Sequence, residues 1–325
     1  MKKLFFILLC ILCTQNIIAQ KQITLEDIWS KGTFRAKTIN EIRSMKNGED
    51  YCVLTPNGIE KYEYKTGLKT DTIMDFTTLD FGAKSQKNKV VDYKFSQDEK
   101  KILIAVNPEY LYRHSFFADY YIYEIETKAF YPLNNEGKQR LADFSPDGNK
   151  VSWIRDNNLF ITDISTSERK ALQITKDGEF NKVIYGTSDW VYEEELALVK
   201  GYAWNKTSTK FAYYRFDESK VKEYSMQVWG ELYPQNYTFK YPKAGEDNSI
   251  VDIFVYDLTT QNHKQVDLGK DKNYYLPRIQ FSNDENQLII HKLNRLQNQY
   301  DILAVNTNDY SQQTIYSETN KYYIN

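Results

Sequence analysis

Beyond residue 50 the chain is written in short apolar runs separated by clusters of turn-forming residues. Ile59-Glu60-Lys61-Tyr62-Glu63-Tyr64 alternates with a period of two, and Lys65-Thr66-Gly67-Leu68 follows as a turn. That alternation places one face of a strand in a core and the other in water. A stronger unit then recurs. Phe95-Ser96-Gln97-Asp98 leads into Ile102-Leu103-Ile104, and Phe144-Ser145-Pro146-Asp147-Gly148 leads into Val151-Ser152-Trp153-Ile154. Trp204-Asn205 leads through a polar turn into Phe211-Ala212-Tyr213-Tyr214, and Phe281-Ser282-Asn283-Asp284 leads into Leu288-Ile289-Ile290. Each copy is an aromatic, a polar turn and a strand. A second apolar strand follows each, at 121–125, 159–164, 253–258 and 301–305.

The repeated aromatics stand 49, 60 and 77 residues apart. A period near fifty residues built from short strands predicts the blades of a β-propeller, and the lengthening spacings predict loop insertions, the longest at residues 223–248. A β-sandwich of hairpins is the alternative, but four copies of one turn signature favour blades. With the weaker strand set at 51–72, the reading is an all-β, partial propeller of about four to five blades. Composition agrees: Tyr 27 and Phe 17 against Gly 13 and Pro 7 suit pleated, half-buried surfaces.

The first residues are of another kind. Lys2-Lys3 precede the apolar run 4–12, which is too short to span a membrane, and Ala19-Gln20 offers a cleavage point. Residues 1–19 are expected to be a signal peptide, making the protein exported, to a periplasm or beyond. Residues 20–47 form an approach segment in which Thr24 and Asp27 predict a capping box at the start of a short helix. Residues 48–325 are the propeller region. Cys10 and Cys13 fall in the leader, so Cys52 stands alone in the mature chain and cannot form an internal disulfide. Net charge is −2, or −4 once Lys2 and Lys3 are removed, and no long basic run is present, which argues against nucleic acid as a partner.

The candidate chemistry centres on Asp189-Trp190-Val191-Tyr192-Glu193-Glu194-Glu195. Adjacent carboxylates repel, so a cluster held by packed aromatics suggests a cationic ligand. A primary ammonium, with three donors and no acceptor, fits a fixed acidic pair. A solvated acidic turn is the bland alternative. The run resembles the substrate-amine motif of the dipeptidyl peptidase IV family of serine peptidases. The resemblance implies that the last two glutamates, Glu194 and Glu195, bind the free N-terminal ammonium of a peptide. Tyr112-Arg113-His114-Ser115, ahead of Asp119-Tyr120-Tyr121-Ile122-Tyr123, is similar to a second family feature and implies that Arg113 binds a substrate carbonyl. Otherwise Arg113 would read as a solvated loop residue. Tyr241-Pro242-Lys243-Ala244-Gly245 resembles a loop of the same region and carries no assigned chemistry. The resemblance runs from about residue 45 to the end.

The family's propeller has eight blades and is followed by an α/β-hydrolase domain with a Gly-x-Ser-x-Gly elbow. No such elbow occurs here, and His114, His263 and His291 lack evident triad partners or metal spacing. The expectation is therefore a substrate-gating propeller portion, apparently truncated, with no catalytic residue, metal or cofactor of its own. Its expected partners are a peptide with a free N-terminus and the missing hydrolase domain, with a homodimer allowed in the full-length form. By resemblance the enzyme would release N-terminal dipeptides with proline or alanine second. The competing reading is a non-catalytic envelope propeller that binds peptides or proteins.

Overall fold

The computed structural model describes residues 22–36, 38, 42–82 and 89–324. The chain divides into two units, Met1–Ile42 and Arg43–Asn325. In the first, helix α1 (Leu25–Trp29) opens on Thr24. The Thr24 hydroxyl accepts from the Asp27 amide at 3.1 Å, and the Asp27 carboxylate accepts from the Thr24 amide at 3.4 Å. This is the reciprocal capping box read from the sequence. The expected signal peptide, residues 1–19, lies outside the described residues.

The second unit is a run of antiparallel sheets, the first three of them four-stranded meanders. They are β1–β4 (Ile42–Ser44, Asp50–Thr55, Gly58–Glu63, Lys69–Asp75) and β5–β8 (Val90–Phe95, Lys101–Tyr110, Phe116–Glu124, Phe130–Pro132). The third is β9–β12 (Arg140–Phe144, Lys150–Arg155, Asn158–Asp163, Ala171–Gln173). The fourth sheet is interrupted twice. Its strands are β13 (Val183–Tyr185), β14 (Tyr202–Trp204), β15 (Lys210–Asp217), β18 (Ile250–Asp257) and β19 (Asn262–Gln265). Helix α2 (Trp190–Leu196) lies between β13 and β14, and a separate hairpin of β16 (Glu223–Val228) and β17 (Gln235–Lys240) lies between β15 and β18. The hairpin occupies the long insertion expected at 223–248. The fifth sheet holds β20–β24 (Tyr274–Tyr275, Ile279–Phe281, Gln287–Asn294, Gln299–Asn306, Gln312–Thr319).

The middle strands show why these sequences build blades. Along β6, Ile102, Ile104 and Val106 join a core with Cys52, Ile59 and Met74 of the first sheet. The intervening Leu103 and Ala105 join Val151, Trp153 and Phe160 of the third sheet. Period-two geometry sends alternate side chains to opposite faces, so a strand apolar at every position must sit between two sheets. The rule continues along β15: Phe211 and Tyr213 pack with Ile154 and Leu159, while Ala212, Tyr214 and Phe216 pack with Leu288 and Ile290. Five sheets thus stack face to face in chain order around four cores. Of the outermost strands, β19 and β24 are exposed along their whole length.

The recurring turn has a mechanism. Ser96 Oγ accepts from the Lys101 amide at 2.9 Å and donates to Asp98 Oδ1 at 2.6 Å. Ser145 repeats this with Lys150 and Asp147, and Asn205 Oδ1 accepts from the Thr209 and Lys210 amides, both at 2.9 Å. Adjacent turns also bond to each other. Lys101 Nζ donates to the Gly148 carbonyl at 3.1 Å, the Asp147 amide to Ser208 Oγ at 3.0 Å, and Lys210 Nζ to Asn286 Oδ1 at 2.8 Å. The sequence signature is therefore a seam joining neighbouring sheets at one end.

Candidate functional site

Seven residues are too few for a helix to hold by itself, so α2 depends on its surroundings. Asp189 caps it, accepting from the Tyr192 amide at 2.9 Å and from Ser249 Oγ at 2.6 Å. Burial pushes the Asp189 carboxyl above the usual carboxylate range. Tyr192 anchors the helix from below: its ring meets Phe216 edge-on at 4.9 Å, and its hydroxyl accepts from the Leu276 amide at 2.9 Å. Trp190 packs edge-on against Tyr241 at 4.6 Å, which gives the Tyr241–Gly245 segment a place beside the site. Ala197 closes the helix in the left-handed conformation (φ 50°).

Consecutive helical residues lie about 100° apart, so three glutamates in a row point three ways. Glu193 turns inward and is wholly buried. Glu194 lies at the side, with its carboxylate largely covered. Glu195 is exposed. The packed aromatics fix the helix, and with it the direction of each carboxylate.

Arg113 comes from another sheet. β6 and β7 form the longest hairpin of the second sheet, bulged between Val106 and Glu109, and residues 111–115 close its tip, where the Leu111 amide donates to the Ser115 carbonyl at 2.9 Å. From that tip Arg113 Nε reaches Glu194 Oε2 at 3.2 Å. The neighbouring His114 and Ser115 amides donate to Glu193 Oε1 at 2.7 and 2.9 Å. The structure thus brings Arg113 and Glu194 together and leaves Glu195 facing solvent on the next helical position.

Two residues of this region carry no role in the sequence reading. Glu193 is the carboxylate that joins the helix to the hairpin tip. Arg140, in β9, is buried, stacks over the Phe117 ring at 5.1 Å, and has its Nε and Nη2 without a hydrogen-bond partner among the described residues. Burial pulls its pKa below the ordinary guanidinium value, and the Glu193 charge is the leading influence opposing that. Of the three histidines, His263 Nδ1 lies 3.0 Å from the Tyr213 hydroxyl, His291 bonds the Tyr300 hydroxyl, and His114 meets the site through its backbone.

Stacked sheets thus bring a carboxylate helix from one blade to a guanidinium hairpin from another. Comparison with known proteins gives the family. Residues 96–325 match the family described as "Dipeptidyl peptidase IV (DPP IV) N-terminal region". A "Probable dipeptidyl-aminopeptidase B" of Sclerotinia sclerotiorum is 31% identical over 280 residues, covering 79% of this chain and 29% of the relative. One from Botryotinia fuckeliana is 30% identical over 321 residues, covering 88% and 33%. The crystal structure of Porphyromonas gingivalis dipeptidyl peptidase 4 superposes with a TM-score of 0.86 at 36% identity, over 94% of this chain and 43% of that one. The chain belongs to the dipeptidyl peptidase IV family, N-terminal region, and spans about a third of the length of these curated relatives.

Proposed function

We propose that Glu194 and Glu195 hold the N-terminal ammonium of a peptide while Arg113 orients a backbone carbonyl behind it. On this reading the chain is the substrate-gating propeller portion of an exported serine dipeptidyl aminopeptidase. Its site works as a ruler: fixing the amine sets the scissile bond two residues away, and proline or alanine is preferred second. The observation that carries the reading is the 3.2 Å Arg113–Glu194 pair, formed across two sheets with Glu195 open beside it. Positioning of this kind is the entropic part of catalysis.

The test is binding of a Xaa-Pro peptide to the chain by calorimetry, with its amine free and with its amine acetylated. Charge-assisted hydrogen bonds contribute about 1.5–3 kcal/mol each, so acetylation should weaken binding by about 10- to 100-fold. Changing Glu194 and Glu195 together to glutamine should abolish that difference. Equal affinity for the two peptides in the unmodified chain would sink the reading.

A further inference from the structure

The proposed amine site needs Arg113 in one place, and nothing about Arg113 itself provides that. Its side chain is 71% exposed at a hairpin tip, where its Nε pairs with a single carboxylate oxygen of Glu194. Exposed ion pairs of this sort are weakly held, because both long side chains lose freedom in water. The fixed contact lies one residue further on. The His114 and Ser115 amides converge on one oxygen of Glu193, and Ser115 and Glu193 are both fully buried there. These bonds link residues nearly eighty positions apart, and they act on the backbone of the tip that carries Arg113.

The other Glu193 oxygen, Oε2, has no hydrogen-bond partner among the described residues, and neither have Arg140 Nε and Nη2. A buried carboxylate is costly unless polar partners accompany it, and the two backbone amides supply them. The arrangement joins two elements, the β6–β7 tip and α2.

We infer that Glu193 is a positioning residue for the amine site: it rivets the backbone of the Arg113 tip to α2, so that Arg113 and Glu194 meet. This rests on the amine-binding reading for its functional consequence, and the contact it describes can be measured without a peptide.

Two variants separate the parts of the claim. Glu193→Gln keeps a carbonyl oxygen for both amides, whereas Glu193→Ala removes the acceptor. The first readout is the NMR resonance of Arg113 Nε–H in the peptide-free chain, which reports its pairing with Glu194. Glu193→Ala should move it to the position of an unpaired arginine, and Glu193→Gln should leave it near the unmodified value. The second readout is affinity for the free-amine peptide. Glu193→Ala should weaken it about tenfold, Glu193→Gln less than about threefold, and Glu193→Ala should add almost nothing in an Arg113→Ala background. A purely structural role would lower the melting temperature while leaving the arginine resonance and the coupling unchanged. An unchanged resonance in Glu193→Ala, additive losses with Arg113→Ala, or Glu193→Gln as damaging as Glu193→Ala would each overturn the inference. If the unmodified chain ignores peptide acetylation while the resonance still follows Glu193, the amine reading fails and the rivet stands.

Discussion

Glu218→Gln is expected to stabilise the chain at pH 8 by on the order of 4 kcal/mol, and to leave it nearly unchanged at pH 4.5. Glu218 follows β15 directly and is only 5% exposed. Its backbone is fixed, the amide donating to the Lys182 carbonyl at 2.7 Å and the carbonyl accepting from the Val221 amide at 2.9 Å. Burial above all, helped by the Asp189 and Asp217 charges and opposed by Lys240, raises its carboxyl from 4.5 to about 8. The native state therefore holds a proton that the unfolded chain releases near pH 4.5. Between pH 4.5 and 8 the folded chain binds more protons, so stability falls as pH rises through that window. Below the window both states are protonated and no penalty exists; above it both are ionised and the penalty is complete. Glutamine keeps the shape and removes the charge. The measurement is the denaturant midpoint of both proteins at pH 5 and pH 8. If the two midpoints fall in parallel, Glu218 does not titrate as described. Asp189, also raised by burial, lies among the influences on Glu218, so the substitution should ease the helix cap as well.

Much of this architecture was legible in the chain because its cause is local. The turn of each repeat is made by its own Ser or Asn, so Ser96, Ser145 and Asn205 announce a seam that the structure then builds. Middle strands were legible as apolar runs, since sheets on both faces leave no polar side. The site was legible only in outline. Glu194 and Arg113 do meet, but the sequence does not give the phase of a helix whose neighbours in space come from four other segments. One signal was available: with Asp189 as cap, Glu193 falls four residues on and three before Leu196, in line with both along the helix. A second lay in Arg140-Leu141-Ala142-Asp143-Phe144. Its alternation puts Arg140 on the face of Ala142 and Phe144, and all three are buried. An arginine on the apolar face of a strand asks for a buried carboxylate. The packing of Trp190 on Tyr241 had no local signal, because fifty residues and a hairpin lie between them.

Gly186→Ala should cost about 2–4 kcal/mol, combining left-handed backbone strain with overpacking of a filled core. Gly186 ends the run from β13 and starts the excursion that carries α2. It stands at φ +65°, and a Cβ there would lie 2.4 Å from Leu159 Cδ2. Leu159 is fully buried in the core between the third and fourth sheets, so it has little room to move aside. The excursion is pinched at the same point: the Gly201 amide donates to the Gly186 carbonyl at 2.9 Å, and the Gly186 amide to the Tyr214 carbonyl at 3.0 Å. Gly201 has no positive φ, yet a Cβ on it would come within 2.5 Å of the Thr187 carbonyl oxygen. The helix with the glutamates thus enters and leaves through a gap that only glycine leaves open. Comparison substitutions separate the terms. Gly245→Ala shares a positive φ of 85° with nothing within 4 Å, so it measures backbone strain alone, about 1 kcal/mol. In a Leu159→Ala background the clash at Gly186 is relieved, and the added cost of Gly186→Ala should fall to that same value. Chemical denaturation of the four variants beside the unmodified chain decides it. If Gly186→Ala costs no more than Gly245→Ala, the core tolerates the methyl group and the pinch is not what fixes the base of α2.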